Sequence, residues 1–456
     1  MLAVLGLGVS ACGTPPLPEA PPVEPVAEFM VEGEEDFEAS WWQAFETPEL
    51  NRTVSEALTS NLDLRAAWQR LVAARAVARR EGAPLLPTLD ATGEARIRSA
   101  PVLGTGEPQE VTTRSSYRLG LDAGYEVDLW GRIGASADAA RLRARATGTD
   151  AQAAALSLSG EVTRTWLRLA EARAQISLLD GQIASNETVL QLLENRFGLG
   201  QVRAVDLLRQ RQLIEAGREQ RAVAEARRRI LEHQLDVLLG RSPVDDGIGA
   251  DSLPALPALP RTGVPMELVR RRPDVRAAFL RLQAADRDLA VAITSRFPRL
   301  SLSAGVGSEA DVVDGLLRNW VTSVAGSLLA PLFRGGELDA EVDRTEAVRQ
   351  EQLLTWGQAT LTAFREVEDA LAAELREEER IARIQEQVTL ASQASEQLRT
   401  AFFNGAASYL EVLTALVEVQ ELERELLAAR LARLEARVDL YGALAGPIDT
   451  LPQDGS

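Results

Sequence analysis

Few side chains in this 456-residue chain could do covalent, metal or proton-transfer chemistry: there is one cysteine, Cys12, and one histidine, His233. One of each supplies neither a thiol–histidine catalytic pair at a usable spacing nor a metal ligand set, and a disulfide within the chain is impossible. His233 stands alone in a helical pattern and reads as a packed or surface residue. Gly198-x-Gly200 lacks the third glycine and the preceding strand of a nucleotide-binding loop. Glu366 and Asp369 fall at helical spacing on an acidic, arginine-interleaved face, where solvated ion pairing accounts for them. The sequence therefore predicts no enzyme, no metal site and no cofactor. Two carboxylates stand out by position, because Asp206 and Glu411 each follow a glycine-containing break between two long helical stretches.

Cys12 has a different chemistry. Residues 1–11 form an apolar run ending in small residues, Val9-Ser10-Ala11, directly before the cysteine, and a proline-rich stretch, Gly13 to Pro25, follows. Eleven residues cannot span a bilayer. They resemble the back end of a secretory signal, and Val9-Ser10-Ala11-Cys12 resembles a lipobox, in which the cysteine is acylated, with palmitate for example, after cleavage. Each buried CH₂ of an acyl chain contributes about 0.8 kcal/mol, and two or more chains make a stable anchor. An exported protein anchored in an envelope membrane and facing the periplasm is expected; the basic segment that opens such signals is not seen in residues 1–11.

All 49 basic residues are arginines, against 67 acids, for a net charge of −18. Such a chain repels a phosphate backbone, so no nucleic-acid partner is expected. The 46% hydrophobic and 25% charged content suits a folded protein and is too polar for a bundle of membrane-spanning helices. Alanine, leucine, arginine and glutamate dominate while aromatic residues are only 5%, a composition of long helices.

The chain repeats itself. Asn61-Leu-Asp63-Leu-Arg65 answers to Arg272-Pro-Asp274-Val-Arg276, and Phe197, Gly200, Asp206 and Leu208 answer to Phe402, Gly405, Glu411 and Leu413. The expected organisation is a signal segment (1–12), an extended tether (13–49), a first repeat (50–241), a proline-rich linker (242–265), a second repeat (266–446) and a tail (447–456). Each repeat opens with a helix, the first over Leu50 to Gly82. A hairpin follows, 87–129 in one repeat and 298–330 in the other. The first alternates Leu89, Ala91, Gly93, Ala95 and Ile97 against Asp90, Thr92, Glu94, Arg96 and Arg98; a turn-rich stretch, 99–116, then leads to Tyr117, Leu119, Leu121, Ala123, Tyr125 and Val127 on one side. Long helical hairpins complete the repeats, 136–240 and 337–445. Each outgoing stretch would reach roughly 90–100 Å at 1.5 Å per residue.

Strands of this length, apolar on one face and polar on the other, have the period of an outer-membrane barrel. Tyr125, Trp130 and Trp320 near their ends would mark the membrane boundary. Four strands cannot close a barrel, and an open edge in lipid leaves backbone groups unpaired at several kcal/mol each. Oligomerisation follows, with eight strands from a dimer or twelve from a trimer.

Taken in order, Trp41-Trp42-x-x-Phe45, Asn61-Leu-Asp63-Leu-Arg65, Tyr125-Glu-Val-Asp-Leu-Trp-Gly-Arg132, Arg196-Phe197-x-x-Gly200, Arg270-Arg-Arg-Pro-Asp274, Phe297-Pro298, Pro331-Leu-Phe333-Arg-Gly335-Gly336 and Phe364-Arg-Glu-Val367 resemble the outer-membrane factor family, the TolC and OprM type of efflux channel. The lipobox and paired tryptophans are most similar to its lipoprotein branch, which serves resistance-nodulation-division pumps. The resemblance implies a mostly helical fold with membrane β-structure, a homotrimer with a 12-stranded β-barrel continued by a 12-helix periplasmic α-barrel. It implies an exit channel for small exported compounds, supplied by an inner-membrane pump through a periplasmic adaptor, the membrane fusion protein. Protein secretion through the same fold is the rival, and a periplasmic coiled-coil scaffold lipoprotein is the alternative from another class.

The resemblance also places the closed entrance and the adaptor contacts at the turns Phe197–Asp206 and Phe402–Glu411, with Phe197, Gly200, Phe402 and Gly405 at the tips. Three copies each of Asp206 and Glu411 in a narrow mouth would attract cations and repel one another. The sequence departs from the family in carrying Arg209 and Thr414 one turn later, where many members have a second acid. Either Asp206 and Glu411 are the whole acidic ring, or Arg209 neutralises Asp206 and the gate is mainly steric. A third reading makes both acids solvated helix-start residues favoured by the helix dipole.

Overall fold

The computed structural model describes residues 17–18, 20–24, 28–33, 40–101, 111–243, 249–263 and 265–448. Cys12 and its signal segment lie outside the described residues. The chain forms two compact units, the first built from residues 70–147 and 277–357, the second from 23–69, 148–276 and 358–456. The elements follow in the order α1 (Pro48–Ser60), α2 (Leu62–Gly82), β1 (Thr88–Pro101), β2 (Val111–Val127), α3 (Arg132–Gly198), α4 (Ala204–Leu238), α5 (Pro265–Arg271), α6 (Pro273–Thr294), β3 (Arg299–Ala310), β4 (Trp320–Leu329), α7 (Glu337–Phe403) and α8 (Tyr409–Leu444).

In the first unit the strands make one antiparallel sheet in the order β1-β2-β3-β4, so β1 and β4 are its two edges. The register sorts side chains by face. Leu89 pairs with Ala123, which pairs with Ala304, which pairs with Val324; Ala91, Leu121, Val306 and Thr322 make the next row on the same side. The alternate rows are polar: Asp90, Asp122, Gly305 and Ser323, then Glu94, Arg118 and Glu309. The apolar face is bare, with Leu89, Ile97, Val324 and Leu328 exposed and all ten residues of β4 accessible. The turn-rich stretch expected over 99–116 is shorter than the sequence suggests. β1 runs on to Pro101 and β2 begins at Val111, because threonines and serines suit a pleated ladder, and the Ser99 and Thr113 hydroxyls meet at 3.0 Å.

The passage from strand to helix is set by Asp128-Leu-Trp-Gly-Arg132. Gly131 takes φ +73°, and the Asp128 carboxylate accepts from the backbone N–H of Ile133 (3.1 Å) and Gly134 (2.8 Å), capping the donors at the start of α3. Trp130 donates its indole N–H to the Pro298 carbonyl at 2.7 Å and lies 5.2 Å from the Phe297 ring. Trp320 opens β4 and Tyr125 faces Leu302 across β2 and β3. Helices of this unit are tied by a buried Arg349–Asp286 pair at 3.0 Å and by Phe279 against Trp356 at 4.7 Å.

In the second unit Trp41, Trp42 and Phe45 form a buried 3₁₀ turn; Trp41 stacks on Tyr441 at 5.5 Å and donates to the Ser159 hydroxyl at 3.2 Å. The single helix expected over 50–82 is two helices. Asn61 leaves helical geometry (ψ 127°), accepts from the Leu64 N–H at 2.9 Å to start α2, and donates to the Leu238 carbonyl at 2.9 Å where α4 ends. Its counterpart, Arg272, stands at the matching break between α5 and α6, where Pro273 cannot supply an N–H. Arg272 donates to the Ala443 carbonyl at 3.3 Å, the residue matching Leu238, and pairs with Asp274 and Glu366, both at 2.7 Å. Two different side chains thus tie the same two helix ends in the two repeats.

Candidate gate at the two helical turns

Both turns are built on the same backbone device. At the end of α3, Gly200 takes φ +72°; its N–H bonds the Phe197 carbonyl (2.9 Å) and the Gln201 N–H bonds the Arg196 carbonyl (2.9 Å). At the end of α7, Gly405 takes φ +77°, with Gly405 bonded to Phe402 (3.1 Å) and Ala406 to Ala401 (2.8 Å). This is the Schellman arrangement, in which glycine supplies the left-handed residue that turns the chain away and satisfies the last carbonyls. Nothing lies within 4 Å of a Cβ built on either glycine, so backbone conformation, not crowding, requires them.

The returning helices then start differently. Arg203 caps α4: its backbone N–H (3.2 Å), Nε (3.2 Å) and Nη2 (3.1 Å) all donate to the carboxylate of Asp206, which is buried. Ser408 caps α8: its N–H (2.7 Å) and hydroxyl (2.8 Å) both donate to Glu411 Oε2, in the open. These bonds, the backbone one first, hold the Glu411 carboxyl below the usual range. The hydrogen bond to Asp206 raises the Arg203 guanidinium above its ordinary value. Arg209, half-buried one turn on, makes no ion pair among the described residues, so the cation at Asp206 is Arg203.

Tyr409 joins the two turns. It is 2% exposed, packs with Leu193 and Val412, lies 5.6 Å from the Phe402 ring, and donates its hydroxyl to Gln210 of α4. Burial, and after it the Asp206 charge, pushes this hydroxyl above the usual phenol range. Gln210, fully buried, donates onward to the Asn186 carbonyl at 2.7 Å; the side chains of Asn186 and Gln420 exchange bonds of 3.3 and 3.2 Å; and Gln182 donates to the Gln420 carbonyl at 3.2 Å. A buried ladder of amides thus holds α3, α4 and α8 together behind the turns. From the other side, the Arg196 guanidinium sits 4.6 Å from the Phe403 ring and 5.8 Å from that of Phe402.

Of the tip residues named from the sequence, Phe197 is exposed beside Gly200, whereas Phe402 is half-buried and Phe403 stands exposed next to it. Arg203, Tyr409, Gln210 and Asn186 escaped sequence reasoning. The spacing Ser408-x-x-Glu411 is a capping-box signature that could have found one of the two caps. Among the described residues no group of three or more His, Cys, Asp or Glu could hold a metal ion, and no helix is long and apolar enough to cross a membrane.

The family model described as outer membrane efflux protein matches residues 53–241 and 264–446, both repeats and both turns. The chain belongs to this family. It is 33% identical to the pyoverdine export outer membrane protein OpmQ of Pseudomonas aeruginosa, over 96% of this chain and 94% of that one. It is 30% identical to the solvent efflux pump outer membrane protein SrpC of Pseudomonas putida, over 88% and 86%. The open-state crystal structure of the MtrE outer membrane channel of Neisseria gonorrhoeae superposes with a TM-score of 0.86 at 27% identity, covering 96% of this chain and all of that one. As an outer membrane efflux protein, the chain is an exit channel subunit. Its β-structure belongs to the outer membrane and its helices to an α-barrel in the periplasm.

Proposed function

We propose that three copies of this chain close a twelve-stranded barrel in the outer membrane and a twelve-helix barrel below it, forming a passive, gated duct for small exported compounds. An inner-membrane pump supplies the energy, and a periplasmic adaptor joins pump to duct. The observation that carries this reading is the sheet: four ladder-paired strands, two open edges and one bare apolar face. Edges in lipid must be paired, and copies of the same sheet supply the partners β1 for β4. Trp130, Trp320 and Tyr125 would stand at the membrane boundary, where amphipathic rings are favoured, and acylation of Cys12 would tether the duct to lipid. The relatives named for pyoverdine export and solvent efflux carry unlike small cargoes, which supports a duct open to small compounds of more than one class.

In this reading the turns at 197–206 and 402–411 ring the narrow periplasmic mouth, with Phe197, Gly200, Phe402 and Gly405 toward the adaptor. Arg203 neutralises Asp206 while Glu411 presents free charge, so Glu411 carries the negative potential of the mouth and the Arg203–Asp206 pair its packing. Arg209 would add a positive charge beside that mouth. The test is the native mass of protein extracted in detergent from an outer-membrane fraction, corrected for bound detergent. With chains of 49.4 kDa, a mass near three chains supports the reading, and a water-soluble monomer contradicts it.

A further inference from the structure

The polar face of the sheet carries its charges in sequence along the strands. Near the helices, Asp90 stands directly opposite Asp122; in the middle, Glu94 faces Arg118 and Arg118 faces Glu309; toward the connection between β1 and β2, Arg98 stands directly opposite Arg114. The middle neutralises itself, with Arg118 bonded to Glu309 at 2.7 Å and Arg96 to Glu94 at 2.5 Å, and Glu126 is taken by Arg132 at 2.7 Å. The Asp90–Asp122 pair, the Arg98–Arg114 pair and, at the helix end of β3, Arg299 are left over, and none of these five is in a salt bridge among the described residues. Both pairs are like charges directly across a ladder, an arrangement that costs stability. The arginine pair also lies past the end of β3, whose ladder with β2 stops at Ala310 opposite Tyr117. There the β1–β2 ribbon continues without a third strand among the described residues, and Arg98 and Arg114 are exposed.

We propose that Arg98 and Arg114 form a cationic collar at the outer mouth of the duct, selecting small anionic compounds that carry carboxylate or phosphate groups. The proposal rests on the reading of the sheet as one third of a closed barrel with its polar face inward. Three copies then bring six guanidinium groups to the exit and, at the inner end of the same lumen, six carboxylates from Asp90 and Asp122 against three Arg299 guanidinium groups, which leaves that end net acidic. Guanidinium forks match planar oxyanions in pairs of hydrogen bonds, and rings of like charge in a pore set which ions enter. Along the strands the lumen is net acidic at its inner end and basic at its outer end, where the β3–β4 connection adds Asp311 and Asp314 against Arg318, so anions are favoured at the arginine pair alone and the collar acts from one side.

The experiment is block of single-channel current in planar bilayers by inorganic tripolyphosphate, added to each chamber in turn at about 0.1 M KCl, where screening reaches about 10 Å. The expected result is block from one chamber only. Replacement by Arg98→Gln with Arg114→Gln should raise the half-blocking concentration at least about tenfold, the lower end of enrichment expected of a charged constriction. Arg98→Lys with Arg114→Lys, which keeps the charge, should preserve most of the block. Normal conductance with block unchanged in the glutamine variant, or with no block at all, would overturn the collar and leave the duct standing. Absence of any conductance both in the wild-type protein and in Tyr409→Phe, the variant expected to loosen the gate, would overturn the duct and the collar with it.

Discussion

The two helical turns share a backbone and differ in chemistry. Both bend at a left-handed glycine with the same pair of carbonyl-capping bonds, and both start the returning helix with an acid three residues after its cap. In the first, the acid is buried and held by Arg203; in the second it is exposed and held by the small Ser408. The difference extends behind the turns. Tyr409 and Gln210 meet in the core, whereas their counterparts in the other repeat are Ala204 and Ala415. Duplication preserved what the chain needs to reverse direction, which is a backbone property. Side chains facing each other across the repeats were free to diverge, and they made one turn a packed anchor and the other a charged lip.

The largest effect should come from breaking the anchor. Gln210→Ala leaves the Tyr409 hydroxyl and the Asn186 carbonyl without their partner in a dry interior and opens a cavity, at a cost of about 2–4 kcal/mol. Hydrogen exchange over the first turns of α4 and α8 should accelerate accordingly, and unchanged protection would show that the ladder is not what holds them. Asp206→Ala should cost about 2 kcal/mol, by loss of charged hydrogen bonds to a buried carboxylate. Glu411→Ala should cost visibly less by the same measurement, because its site is solvated; equal effects would erase the contrast between the turns. Gly200→Ala and Gly405→Ala should behave alike, each losing about 1–2 kcal/mol of local stability, since left-handed geometry alone is at stake.

The smallest effect is in pH. The Glu411 carboxyl is held below its unfolded value by Ser408, so its contribution is present above the ordinary carboxylate pKa and lost as the pH falls through the folded value. Exchange at the start of α8 should therefore rise in acid, below about pH 4.5, and Glu411→Gln should remove that rise. Tyr409 has the opposite sign. Its phenol is raised in the folded chain, so its contribution is intact below the unfolded value near pH 10 and declines as the pH climbs above it. Tyr409→Phe should flatten the alkaline limb.

Much of this was legible in the chain because periodicity is local. The alternation of Leu89 to Ile97 and of Tyr117 to Val127 marked both hairpin faces, and the matched Phe197/Gly200 and Phe402/Gly405 placed both turns. Breaks made by a single polar side chain were not legible. Asn61 ends a helix by reaching Leu238, 177 residues away, and only the fold brings that carbonyl near. Arg209 looked like the partner of Asp206 by helical spacing, but Arg203 at the cap reaches the carboxylate through both backbone and guanidinium. Tyr409 and Gln210, 199 residues apart, share no local pattern at all.

As proposed, these turns ring the narrow mouth of a conducting duct, and the Tyr409–Gln210 contact holds it. Single-channel conductance of wild type, Tyr409→Phe and Glu411→Gln in planar bilayers tests it directly, since the phenylalanine keeps the packing and removes only the hydrogen bond. Tyr409→Phe should conduct more than wild type. Glu411→Gln should conduct close to wild type with weaker preference for cations. Identical conductance and ion preference in all three would contradict it and place the constriction elsewhere.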